Sequence, residues 1–239
     1  MLHFFPKLIR MQAFAMPYRQ TENVVRKLAA RHEAILTAAR DIAAERGMAA
    51  VQIAPVAERA GVAAGTVYRY FPSKTDLVTA LVAALSEREM TALEGAAKAA
   101  PGPLSALAAA ITTFAARALA GRRLAFALIA EPVEPEIDRT RASYRRALVA
   151  AFERLIRTAL QGGRLPDQDP ELAASALVGA LVEGLIGPLA PVRHDGPGKA
   201  RAQVQMLTLF GLRALGVVDA RARGLVVQTV LPEPGSTLR

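Results

Sequence analysis

Residues 61–74 read GVAAGTVYRYFPSK. The stretch fits neither a core helix nor a loop. A core helix would exclude Tyr68, Arg69 and Tyr70 in a row. A loop would not space Val62, Val67 and Phe71 like one buried face. Gly61 supplies a tight turn between a short helix predicted over 53–60 and a second over 63–70. Phe71-Pro72 stops the second, because the residue before a proline disfavours helical backbone. Ser73-Lys74-Thr75-Asp76 has the form of a capping box, with Ser73 as N-cap and Asp76 in place of the usual Glu. Two short helices joined by a glycine turn make a helix-turn-helix.

The second helix carries two chemistries. Val62, Val67 and Phe71 fall on one side and face inward. Ala64, Gly65, Tyr68 and Arg69 fall on the other, and Ala63 and Thr66 are counted with them as contact residues. Small residues let the start of a helix approach a groove wall, and its unpaired N–H groups are ready phosphate donors. Tyr68 offers a phenolic donor to a phosphate. Arg69 can reach a phosphate or hold a guanine edge bidentately. Lys74 sits in the first turn of the next helix, against the macrodipole, a cost that an anionic partner offsets. The combination points to double-stranded DNA.

Composition agrees without locating the face. The chain has 239 residues, a net charge of +9 and no cysteine. Disulfides and thiolate chemistry are excluded, and a polyanionic partner is consistent with the charge. The surplus is spread evenly: residues 1–90 hold 12 Lys+Arg against 8 Asp+Glu, which leaves 18 against 13 for the remainder. Ala and Leu dominate, aromatics make up 5%, and tryptophan is absent. Such a chain suits helices packed through small residues.

The rest of the chain reads as helix. A helix over 25–46 repeats Leu28, Ile35, Ala38, Ala39 and Ile42 at helical spacing and ends at Gly47 as its C′ residue. The helix begun at Ser73 runs to about 98. Pro101-Gly102-Pro103 forms a linker. Longer helices follow at about 104–120, 122–130, 136–161, 170–190 and 198–215. Strand alternation is suggested only at 225–231. We therefore expect an all-α protein in four parts: an N-terminal extension (1–24), a three-helix helix-turn-helix domain (25–82), a ligand-binding and dimerisation bundle (83–216) and a tail (217–239). The opening segment, with Lys7 and Arg10 breaking its apolar run, is no signal peptide, and Met1, Met11 and Met16 are alternative starts. The apolar run 172–192 contains Glu183 and Pro188 and lacks basic flanks, so it reads as a buried helix and not a membrane span.

At this point a family resemblance is visible. The stretch 53-IAPVAERAGVAAGTVYRYFPSKTDLVTAL-81, with 34-AILTAARDIAAERG-47 before it, resembles the DNA-binding domain of TetR-family transcriptional regulators. The resemblance implies a cytoplasmic homodimer that binds a pseudo-palindromic operator, usually as a repressor, and is released by a small-molecule effector in the C-terminal bundle. It places Ala64, Gly65, Thr66 and Arg69 where base edges are met, and Tyr68, Tyr70 and Lys74 where phosphates are held. Three positions depart from the pattern. Ala63 replaces a frequent Ser N-cap, Gln52 is a poor cap for the preceding helix, and Tyr70 stands where His is commoner. With Ala63, Ala64 and Gly65 all without polar side chains, base reading is expected to lean on Arg69, Thr66 and DNA shape.

The C-terminal half is less explicit. Its stretches 124–146 and 176–189 resemble a subset of TetR-type C-terminal domains. The helix at 170–190 is apolar nearly all round and rich in small residues, so it needs partners on two sides. With the helix at 198–215 it would form a four-helix dimer interface through Leu177, Ala180, Leu181, Gly184, Leu207 and Phe210. Polar groups set among apolar helices suggest a pocket of Phe114, Phe126, Glu131, Tyr144, Phe152 and Glu183, suited to a hydrophobic and even cationic effector. The bland alternative has Glu131 capping a helix end and the Phe residues serving only as core. No cofactor is expected. An enzyme is disfavoured: no metal-ligating pair or nucleophile elbow occurs, and 196-GPGKA-200 fails the phosphate-loop pattern twice. The rival class is a helical protein-interaction or membrane-associated module whose front domain binds no DNA.

Overall fold

The computed structural model describes residues 22–188, 190, 191 and 197–230. The three alternative start methionines lie outside the described residues, as does most of the N-terminal extension. Within the described residues the chain is all-α. Its helices are α1 (Glu22–Arg46), α2 (Ile53–Arg59), α3 (Ala64–Tyr70), α4 (Lys74–Ala99), α5 (Pro103–Ala120), α6 (Arg122–Ile129), α7 (Pro135–Gln161), α8 (Pro170–Leu185), α9 (Pro197–Ala214) and α10 (Asp219–Gln228). One turn of 3-10 helix, Met48–Ala50, joins α1 to α2.

The front domain is closed by the apolar stripe of α1. Ile35, Ala39, Ile42 and Ala43 are fully buried, and Val56, Val67, Leu77 and Val78 meet them from α2, α3 and α4. Gly47 has φ 89°, the left-handed conformation that ends α1 without a Cβ penalty. Gly61, at φ 64°, turns α2 into α3. The weak caps behave as their residues dictate. Gln52 and Ala63 give no side-chain cap, whereas Ser73 accepts from the Asp76 N–H at 3.0 Å and donates to its carboxylate at 2.7 Å. The turn from α3 into α4 is therefore the firmest corner of the domain.

Helix α4 continues without a break through residues 82 and 83, so the front domain and the bundle share it. It packs along α5 and α7. Helix α5 is the centre of the bundle: Leu107, Ala108, Ala110, Ile111 and Ala115 are fully buried, and α4, α7 and α9 cover it. By length and hydropathy α5 could cross a membrane, yet its apolar surface is largely taken up by this core. Burying each such Leu or Ile contributes about 1.5–3 kcal/mol. α7 pairs with α8, α6 returns to α1, and α10 lies on α9.

Two expectations fail. The helix expected over 170–190 ends at Leu185, just before Gly187-Pro188. The stretch 225–231 is no strand through residue 228: Asp219–Gln228 is helical, with Asp219 tied to Arg213 of α9 and, at 2.8 Å, to Arg223 of its own second turn. Val-rich composition suggested a strand there, but an acidic first turn and these two arginines favour a helix.

Candidate DNA interface and effector cavity

Helix α3 presents its small and polar residues outward. Ala63, Ala64, Gly65 and Arg69 are exposed, Thr66 is half-buried, and Tyr68 is 52% exposed. Val67 and Phe71 are buried, as the spacing demands. An exposed tyrosine beside an exposed arginine, in the last turn of a two-turn helix whose N-terminus has no side-chain cap, is a surface fitted to a polyanion. Tyr70 stands apart from the outward face. It is half-buried, with its ring edge-on to His32 at 6.1 Å, and His32 also lies 5.1 Å from Phe71. Tyr70 therefore fixes α3 against α1, and a phosphate contact from it is confined to its hydroxyl.

Lys74 has a partner that the sequence did not suggest. Its ammonium donates to Glu134 at 2.9 Å, across from the loop between α6 and α7. The Lys74 charge holds the Glu134 carboxyl below the usual carboxylate range. Three residues earlier in the same loop, Glu131 accepts from the Met48 N–H at 2.8 Å and the Ala49 N–H at 3.2 Å. Those are free donors at the start of the 3-10 turn. Gly47 makes room for this: a Cβ there would stand 3.0 Å from both Glu131 carboxylate oxygens. The loop 131-EPVEP-135 thus grips the front domain at two points. The prolines favour extended backbone at Glu131 and Glu134 and hold them apart. Arg141, almost wholly buried, anchors the loop from behind by donating to the carbonyls of Ala127 and Glu131. Burial lowers its pKa, and its place at the C-terminal end of α6 suits a cation.

The proposed pocket residues do not converge. Phe114 and Tyr144 line one cavity, walled by α1, α4, α5, α6 and α7 and containing about 50 Å3 of free space. Its apolar wall includes Leu85, Leu124, Leu128 and Ile129, and its polar wall includes Arg40, Arg88, Glu89 and Arg117. Glu131 and Glu183 lie instead on a separate open groove beside Arg141 and Pro188. Phe152 is core, 1% exposed, and Phe126 is a surface residue, 36% exposed; neither lines the cavity. The bland reading of Glu131 was right, with the cap lying in the other domain.

The cavity's polar centre was missed. Arg117 donates from Nε and Nη2 to the two Glu89 oxygens at 2.6 and 2.8 Å, a bidentate pair. The Glu89 hydrogen bond holds the Arg117 pKa up. Tyr144, 4% exposed, stands close enough to both to feel their charge, and burial pushes its phenol well above the ordinary tyrosine value. A signal existed: Arg117 is the sole charge in the apolar helix 103–120.

The dimer residues also divide. Leu177 and Leu181 point into their own core, 4% and 0% exposed, and are withdrawn from the interface. Ala180, Gly184 and Leu207 are half-buried, with Leu207 close to Gly184 across α8 and α9. Phe210 is 52% exposed, and Met206 and Leu172, not anticipated, are 71% and 69% exposed.

Comparison with known proteins identifies the front segment. Residues 35–81 match the family model described as bacterial regulatory proteins, tetR family. Residues 35–81 are thus a TetR-type DNA-binding segment. The chain's front segment is 49% identical over 72 residues to the HTH-type transcriptional repressor KstR of Rhodococcus jostii, covering 30% of this chain and 32% of that one. It is 50% identical over 64 residues to KstR of Mycobacterium tuberculosis, covering 27% of each. The match thus spans about a third or less of these curated relatives. Similarity of fold to solved structures extends over most of the chain. RolR in complex with resorcinol superposes with a TM-score of 0.61 at 24% identity, over 88% of this chain and 100% of that one. FadR from Bacillus subtilis in complex with stearoyl-CoA gives 0.64 at 20% identity, over 78% and 99%.

Proposed function

We propose that this protein is a cytoplasmic transcriptional repressor that binds a pseudo-palindromic operator as a homodimer and releases it when a small, largely hydrophobic effector enters the bundle. The observation that carries this reading is the outward face of α3, where Ala64, Gly65, Tyr68 and Arg69 are all exposed over a buried Val67. In a dimer, two such helices would enter successive major grooves about 34–36 Å apart. Arg69 and Thr66 would read bases, while Tyr68 and the start of α3 would hold phosphates. Lys74 would hold a phosphate once it leaves Glu134.

The exposed apolar residues support the dimer. Leu172 on α8 and Met206 and Phe210 on α9 lie on the outer helices of the bundle, with Ala176 and Gly179 exposed between them. A second copy of the same helix pair would cover this surface. The named repressor relatives support the sign of regulation through the front segment they share. The ligands held by RolR and FadR support an effector site in the bundle.

The test is a salt titration of binding to random duplex DNA and to the DNA flanking the gene. A repressor of this kind gives a steep negative slope of log affinity against log salt. It also binds one inverted repeat on the flanking DNA 10³–10⁷-fold, in order of magnitude, above background. A flat salt dependence would eliminate DNA as the partner.

A further inference from the structure

We infer that the cavity between α1, α4, α5, α6 and α7 takes an apolar monoanion, a hydrocarbon body bearing one carboxylate, and discriminates against cations. The inference rests on the reading of this cavity as the effector site and specifies its chemistry. Four polar groups of the wall besides the phenol are charged: three guanidiniums, Arg40, Arg88 and Arg117, against one carboxylate, Glu89. Both Glu89 oxygens already accept from Arg117. What the pair leaves for a ligand is therefore donor capacity, at Arg117 Nη1, which makes no hydrogen bond to the described residues. Arg40 is likewise engaged with Asp41 at 2.8 Å, so its field is tempered but its sign is unchanged.

Tyr144 supplies the second donor. It is nearly buried, lines the cavity, and has no hydrogen-bond partner among the described residues. Its raised pKa keeps the phenol protonated throughout the physiological range. The phenol belongs to the cavity wall, where a ligand oxygen can accept from it. A carboxylate accepts from the phenol and from Nη1 together, as a charge-assisted pair. An ammonium meets a carboxylate whose charge Arg117 already offsets, in a wall that carries three guanidiniums. The remaining wall, Leu85, Phe114, Leu124, Leu128 and Ile129, is hydrocarbon and fits the body of such an acid. The cationic effector expected from the sequence depended on Glu131 and Glu183, which lie outside this cavity.

The test uses the full chain and three near-isosteric probes: cyclohexanecarboxylate, cyclohexylmethanol and cyclohexylmethylamine. Binding is followed by calorimetry and by ligand-observed NMR. The acid should bind about tenfold more tightly than the alcohol, and the amine more weakly still. Tyr144→Phe, checked for unchanged helical circular dichroism, should weaken the acid about five- to tenfold and leave the amine unchanged. An amine that binds as well as the acid would overturn the anion assignment while leaving the cavity as the effector site. Acid binding untouched by Tyr144→Phe would overturn the role of the phenol. Binding by none of the three at millimolar concentration would remove the cavity itself as the site. The salt slope on random DNA, measured without any probe, judges the DNA-binding reading separately.

Discussion

Replacing Glu134 by Gln should tighten operator binding. Lys74 is the first residue of α4, held there by the Ser73 cap, and its ammonium is committed to Glu134 at 2.9 Å. To reach a phosphate it must leave that carboxylate, and the carboxylate then remains beside the DNA. The pair is partly exposed, with side-chain exposures of 32% and 50%, so it is worth about 0.2–1 kcal/mol. Two protomers release about 0.4–2 kcal/mol, or about 2- to 30-fold in operator affinity. The salt slope should steepen by up to about 0.9 for each phosphate newly neutralised. Fluorescence anisotropy at several salt concentrations measures both quantities. The double-mutant cycle with Lys74→Ala supplies the control: in that background Glu134→Gln should gain less, only what removing a carboxylate from beside the DNA gives. The pH dependence has a fixed sign. Lys74 lowers the Glu134 pKa, so the pair is intact at neutral pH and is lost as pH falls through that lowered value. The gap between the two proteins should hold steady near neutrality and close only in acid. A Glu134→Gln protein that binds no tighter, or a gain of undiminished size in Lys74→Ala, would refute the competition between carboxylate and phosphate.

Arg69→Ala should cost about 1–3 kcal/mol on the cognate operator and relax preference at one position in each half-site, measured on a panel of singly substituted operators. If it weakened every sequence equally, Arg69 would be a phosphate clamp. Met206→Glu with Phe210→Asp, both at exposed positions, should shift the protein to monomer in sedimentation velocity while leaving its helical content intact. Phe152→Ala should cost about 3–5 kcal/mol in denaturant unfolding, because the ring is wholly enclosed, whereas the exposed Phe126→Ala should cost far less. The Tyr144 phenol is pushed up by burial. Its contribution to stability is therefore complete below the ordinary tyrosine value near 10 and declines above it as the unfolded chain ionises. Tyr144→Phe should flatten that alkaline loss in a pH series of urea midpoints.

The front domain was legible because its signals are local. A glycine at φ 64°, a Phe-Pro stop and a Ser-x-x-Asp cap each act within four residues, so GVAAGTVYRYFPSK could be oriented side chain by side chain. The bundle was legible only as helices. Which face of α8 turns inward depends on α7, which reaches it from the preceding helix, and periodicity could not tell Leu177 from Ala176 on a helix apolar all round. The cavity was harder still. Glu89 and Arg117 are 28 residues apart and Tyr144 another 27, and only the packing of α4, α5 and α7 brings them together. The Glu131 and Glu134 contacts span 82, 83 and 60 residues. In sequence they read as loop punctuation, because the donors they meet, backbone N–H groups and one lysine, leave no pattern in the chain.

The position of the cavity bears on how an effector would act. Its 50 Å3 of free space falls far below the roughly 300–1,000 Å3 that ligand sites occupy. A ligand therefore cannot enter without moving a wall. Of the five walls, α4, α5 and α7 are packed together along their lengths and form the centre of the bundle, whereas α6 is two turns long and borders the front domain through α1. On the proposed function, an effector would displace α6, the shortest of these helices, from α4 and α5. The residues directly after α6 are the 131-EPVEP-135 corner, whose two carboxylates hold the 3-10 turn before α2 and the first residue of α4. Movement of α6 is thus carried into the segments that orient α3 on each side, without any change inside α3 itself. On the proposed function, a helix with so few side chains to read bases would still be open to regulation. What the effector would alter is the spacing and tilt of two reading helices, and a dimer that depends on fixed half-site spacing is sensitive to both.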